Sequence, residues 1–192
     1  MLKKSYCKFK IFETNQLDNE KESKKREIEN LFKNMSEEDF LDKTKDDYIK
    51  ELKSKYLIEI PTINFGKRYV NTEEVGDTDY YIFKIPFDGE NTEYFKFSPG
   101  SKLNWSKEVY IINHDLCFEV IERKNDPNYV ERESKQIFEN IKTQKDYVDK
   151  EIEPYNNSLQ KFIEDEYDKR NQRVSNRKNT LKTLDLPTER PE

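Results

Sequence analysis

The only histidine, His114, stands three residues before one of the two cysteines, in His114-Asp115-Leu116-Cys117. Imidazole and thiolate are both zinc ligands, but a structural zinc takes four ligands, and only the distant Cys7 could add a third. The plainer reading makes His114 and Asp115 polar turn residues and Cys117 a small strand residue. No nucleophile elbow or partner motif accompanies the histidine to support nucleophilic catalysis. A metal-dependent nuclease of the restriction-enzyme type would need an acid on one strand and Glu-x-Lys on the next. The carboxylates would hold magnesium and the lysine would orient the attacking water. Asp115 with Glu122-Arg123-Lys124 has a permissible spacing for this. In a chain with 39% charged residues such triplets also arise by chance, and Glu51-Leu52-Lys53 is another. The four glycines, Gly66, Gly76, Gly89 and Gly100, never cluster, so no loop turns a row of amides towards a phosphate. No catalytic residue, metal site or cofactor is expected.

A basic run near the C-terminus offers binding rather than chemistry. Lys169, Arg170, Arg173, Arg177, Lys178 and Lys182 fall in a stretch without an acidic residue. On a helix Arg170, Arg173 and Arg177 share one face, with Lys178 beside them, and that face suits nucleic-acid phosphates. The competing and favoured reading is a basic helix end that complements its own dipole or pairs with Glu164, Asp165 and Glu166.

Three sections position these residues. Residues 18–55 lack glycine and proline and read as two short helices. Ile28, Leu31, Phe32 and Met35 form one stripe, and Ser36 caps the next helix ahead of Glu37, Glu38 and Asp39. From residue 56 the period changes to two. Leu57 to Ile60 reads as a short strand stopped by Pro61, and Tyr80 to Phe87 as a strong strand. A turn over Asp88 to Asn91 brings Glu93 to Phe97 back as its hairpin partner. Val109 to Ile112 and Leu116 to Ile121 form a second hairpin. Beyond Asn128 the helical spacing returns. Ile137, Ile141, Val148, Ile152, Leu159 and Phe162 lie along a stripe, which predicts a helix packed on one side and a candidate interface for a partner. Pro154 predicts a kink or a break. Unbroken, such an arm would extend roughly 75–80 Å at 1.5 Å per residue.

The expected fold is α+β. A globular domain covers 1–126, with helices in 18–55 and a small antiparallel sheet of two hairpins in 56–123. A long helical arm covers 127–185, and a linker-like tail 186–192. Hydrophobic residues are only 33% of the chain, yet 12 Phe, 12 Tyr and one Trp supply bulk for a core. A net charge of −5 argues against a wholesale nucleic-acid or membrane binder. Two cysteines give no disulfide framework, and neither a signal peptide nor a run of ~20 apolar residues is present, so the expected location is the cytoplasm.

Three stretches carry a resemblance. They are Tyr81 to Gly89 with Tyr94 to Ser101, then Tyr155-Asn156 with Leu159, then Arg177-Lys178 ahead of Leu184-Asp185-Leu186-Pro187. Together they resemble an uncharacterised N-terminal region of bacterial proteins associated with anti-phage defence. Those proteins often carry a C-terminal effector resembling a restriction endonuclease. The resemblance implies a non-catalytic regulatory module that positions or controls an effector nuclease through its helical arm. It implies an effector domain or partner protein, or a second copy, as what the arm lies against, and it supplies no catalytic residue. The alternatives are a nucleic-acid binder using the basic end of the arm, and a small metal-dependent nuclease.

Overall fold

The computed structural model describes residues 6–100, 105–123, 126 and 128–184. The fold is α+β, with four α-helices and antiparallel strand pairing throughout the main sheet. In chain order the elements are β1 (Phe9–Lys10), β2 (Asn15–Gln16), α1 (Leu17–Asn34), α2 (Glu37–Leu41) and α3 (Lys45–Tyr56). There follow β3 (Thr62–Ile63), β4 (Tyr69–Val75), β5 (Thr78–Asp88), β6 (Phe97–Ser98), β7 (Glu108–Ile112), β8 (Asp115–Ile121) and α4 (Tyr129–Leu184). The chain divides into two compact units. One comprises 1–20 and 58–153, the other 21–57 and 154–192. These are not the consecutive segments 1–126 and 127–185, because residues 21–57, with most of α1 and all of α2 and α3, group with the second half of α4.

In the first unit the aromatic and β-branched runs build a six-stranded sheet, ordered β1-β7-β8-β5-β3 with β4 also on β5. The β7–β8 hairpin closes through Asn113 and His114, both at positive φ (49° and 63°), as a type I′ turn requires. The β4–β5 hairpin closes through Gly76 at φ 62°, the first position of a type II′ turn, where glycine has no side chain to strain. Register places Phe83 opposite Phe118 on one face, where Phe138 of α4 meets both rings at 5.7 and 5.2 Å. Ile82, Tyr110 and Cys117 form a cluster on the opposite face.

Two expected strands are absent. Glu93 to Phe97 does not return beside β5. Residues Thr92–Lys96 form a 3₁₀ turn that buries Tyr94 and Phe95 in succession, which a strand with one covered face does not do. The hairpin partner of β5 is β4, paired from Tyr69↔Lys84 to Val75↔Thr78. Leu57 to Ile60 is not a strand either. The Glu59 carboxylate accepts from the Glu90 amide and its carbonyl from the Asn91 side chain, so the segment braces the turn after β5. Glycine is favoured in that turn, since Gly89 has φ 117°, which L side chains rarely adopt, and a Cβ there would lie 3.3 Å from Pro61 Cα.

In the second unit the predicted pair of helices is three. Ser36 caps α2 as expected, accepting from the Asp39 amide at 3.0 Å. Thr44 and Asp47 then form a reciprocal capping box that starts α3. Phe32, Phe40, Tyr48 and Tyr167 pack ring against ring, with Phe40 and Tyr167 centred 4.9 Å apart. Tyr48 is held in this cluster by donating to the Asp39 carbonyl at 3.0 Å, and burial pushes its hydroxyl pKa up.

Helix α4 is continuous through Pro154, where one unit gives way to the other. Proline has no amide hydrogen, so the Lys150 carbonyl lacks its intrahelical donor. The linker-like tail 186–192 and the motif residues Asp185 to Pro187 lie outside the described residues.

Candidate interaction surfaces

The apolar stripe of α4 is consumed within the chain. Ile137, Ile141, Val148, Ile152 and Leu159 are all buried, and Phe162 is half-buried. Ser134, Gln144, Tyr155 and Ile163 complete the row at spacings of three and four, and it ends at buried Val174. These residues therefore do not form the free partner interface that their spacing suggested. A helix with one apolar side buries that side on whichever apolar surface is nearest, and the protein's own core supplies one. Tyr94 illustrates the docking. Its buried hydroxyl donates to Asp149 of α4 at 2.5 Å, and Lys145 pairs with the same carboxylate.

The basic end is largely engaged as well. Arg170 donates to the Met35 carbonyl at 2.6 Å and lies over the Phe40 ring at 5.9 Å. Arg177 and Lys178 both face Glu37, at 3.9 and 3.5 Å. Lys169 pairs with Glu166. Arg173 is exposed. Among the described residues they thus divide between a half-buried anchor, Arg170, an ion-paired cluster and the exposed Arg173 and Lys182, rather than forming one uniformly open phosphate-binding face.

The nuclease candidates do not converge. Asp115 begins β8 and Glu122 follows its end, seven residues away. At about 3.3 Å per residue they are roughly 23 Å apart and on opposite faces, too far to share an ion. Asp115 instead accepts from the Tyr69 hydroxyl at 2.6 Å, and Lys124 lies outside the described residues. His114 serves the turn, its carbonyl accepting from the Phe87 amide at 2.9 Å. Cys117 is buried in β8, and burial pushes its thiol up to about 11, while Cys7 is exposed. Among the described residues no group of three His, Cys, Asp or Glu is placed to hold a metal.

Sequence reasoning missed β4. All seven residues from Tyr69 to Val75 are exposed. Among the described residues the strand pairs only with β5, so every second amide and carbonyl along its other side is directed away from the sheet. Tyr69, Val70 and Val75 expose large apolar side chains there, and Glu73 and Glu74 add two carboxylates. Tyr69 is pinned at one end by Asp115, and Lys84 lies over its ring at 5.4 Å. The strand carries neither lysine nor proline, residues that natural edges use to discourage pairing. Its sequence shows no alternation of buried and exposed residues, the signal by which a strand is recognised.

None of the helices is long and apolar enough to cross a membrane, among the described residues. Compared with protein-family models, curated proteins and solved structures, the chain matches none of them.

Proposed function

We propose that this chain is a non-catalytic interaction module that binds a partner protein by adding an extended segment of it to the open edge of β4. The exposed seven-residue edge carries this reading. Backbone pairing along β4 would supply affinity, and alternate side-chain contacts would supply specificity. Glu73 and Glu74 favour a neutral or basic strand in the partner. In the setting that the sequence resemblance implies, the module works in the bacterial cytoplasm and the partner is an effector nuclease of a defence system. The coupling element is then the sheet edge, since the apolar stripe of the arm is already covered.

The test is co-expression of the tagged chain with each candidate effector nuclease from its own genome. The nuclease should co-purify with the wild-type chain and be lost from a Val70→Lys/Thr72→Lys variant, whose two lysines guard the edge and oppose a basic strand. Equal retention by the variant overturns the reading, as does cleavage of DNA or RNA by the isolated chain. Direct binding by the basic end is separable. It predicts salt-sensitive retention of nucleic acid that is lost on reversing Arg173 and Arg177 to Glu.

A further inference from the structure

A groove in the first unit lies between the segment that follows β3 and the first turns of α4. It has a volume of about 610 Å³, within the range of small-molecule sites. Phe65 and Phe138 give it an apolar aromatic wall, and both are half-buried. The Phe138 ring is fixed from behind by Phe83 and Phe118. The Arg68 guanidinium lies 5.1 Å from the centre of the same ring and is held there by donating to the Phe65 carbonyl at 2.6 Å. The guanidinium held over the phenylalanine thus gives a pre-set cationic and aromatic surface, the kind against which a flat heteroaromatic ring packs.

The helix adds charge on either side of the ring. Lys135, Phe138, Glu139 and Lys142 stand at i, i+3, i+4 and i+7, so one face of α4 presents an aromatic flanked by two cations. The lysines are about 10 Å apart along the axis at 1.5 Å per residue. Lys135 is paired with the exposed Glu131 at 2.6 Å. The side chains of Lys142 and Glu139 make no hydrogen bond or ion pair among the described residues. With Arg68, Lys135 and Lys142 against Glu139, the lining is net positive in a chain whose net charge is −5. A separation of two helical turns is too wide for one carboxylate to bridge, but it suits a ligand that carries a ring and a phosphate chain.

We propose that this groove binds a nucleoside phosphate, with its base against Phe65, Phe138 and Arg68 and its phosphates reaching Lys135 and Lys142. Adenine nucleotides are the probe. Calorimetric titration of the full chain with ATP, AMP, adenosine and inorganic phosphate separates the two halves of the site. ATP should bind saturably, AMP more weakly, and adenosine or phosphate alone weakest of all. Raising the salt should weaken ATP more than adenosine. Lys142→Glu, an exposed change, should weaken ATP by about tenfold or more, and Glu139→Gln should tighten it by roughly two- to fivefold. Circular dichroism of both variants should match the wild type. No saturable ATP binding at millimolar concentration overturns the proposal. So does unchanged affinity in Lys142→Glu, or inorganic phosphate binding as tightly as AMP.

Discussion

Arg170 donates through Nη2 to the backbone carbonyl of Met35, the residue immediately after α1. A cation at the negative end of a helix dipole stabilises that end, and the same guanidinium lies over Phe40. Arg170→Ala should therefore destabilise the protein by about 1–3 kcal/mol, because it strips a partner from a partly buried carbonyl and an aromatic face. Urea unfolding followed by circular dichroism measures this. Arg177→Ala, which removes only an exposed partner of Glu37, should change the midpoint little.

The Thr44–Asp47 capping box makes the start of α3 sensitive to acid. Hydrogen bonds from the Thr44 hydroxyl and amide hold the Asp47 carboxyl below its usual 3.8. A carboxyl whose folded pKa is depressed stabilises the fold above its unfolded pKa and loses that contribution as pH falls through the folded value. Arg132 depresses Asp126, and Lys135 depresses Glu131, in the same direction. Stability should therefore decline as pH drops below the ordinary carboxylate range. Thr44→Ala should cost about 1 kcal/mol at neutral pH, by loss of the cap. It should also flatten the acid limb of a midpoint-against-pH curve, and an unaltered limb would refute the assignment.

The two cysteines should react at very different rates. Cys7 is exposed, whereas Cys117 is buried and its thiol is pushed up to about 11. Thiolate is the reactive species. A native chain should take up one equivalent of iodoacetamide at pH 8, and a denatured chain two. Peptide mapping should place the native label on Cys7.

Where the sequence is legible, a strong local pattern agrees with the final packing. The β7–β8 hairpin shows β-branched runs around a turn, and Ser36 is a good cap with acids behind it. The α4 stripe is equally plain, but spacing identifies an apolar side without saying what covers it. The buried row therefore reads as a partner interface until the core is seen. The Glu93 to Phe97 segment misleads because three aromatics in five residues suit a strand by propensity. Burial of adjacent Tyr94 and Phe95 calls for a tighter turn. β4 is invisible for the opposite reason, since a strand exposed along its whole length leaves no burial pattern in its residues. Arg170 could have been singled out only as one arginine among several, because its role depends on a carbonyl 135 residues away in sequence.

Each compact unit draws on two stretches of chain that the other interrupts. Helices α1 to α3 are complete by residue 56, yet the partners for their buried aromatic face are on residues 154–174. On the ribosome those helices must wait through the synthesis of the whole sheet before Tyr167 and Arg170 emerge. During that interval Phe32, Phe40 and Tyr48 lack part of their cover, and synthesis at about 5–20 residues per second makes the delay several seconds or longer. The order in which the ribosome releases the segments therefore makes the second half of α4 the piece that completes the first-made helices.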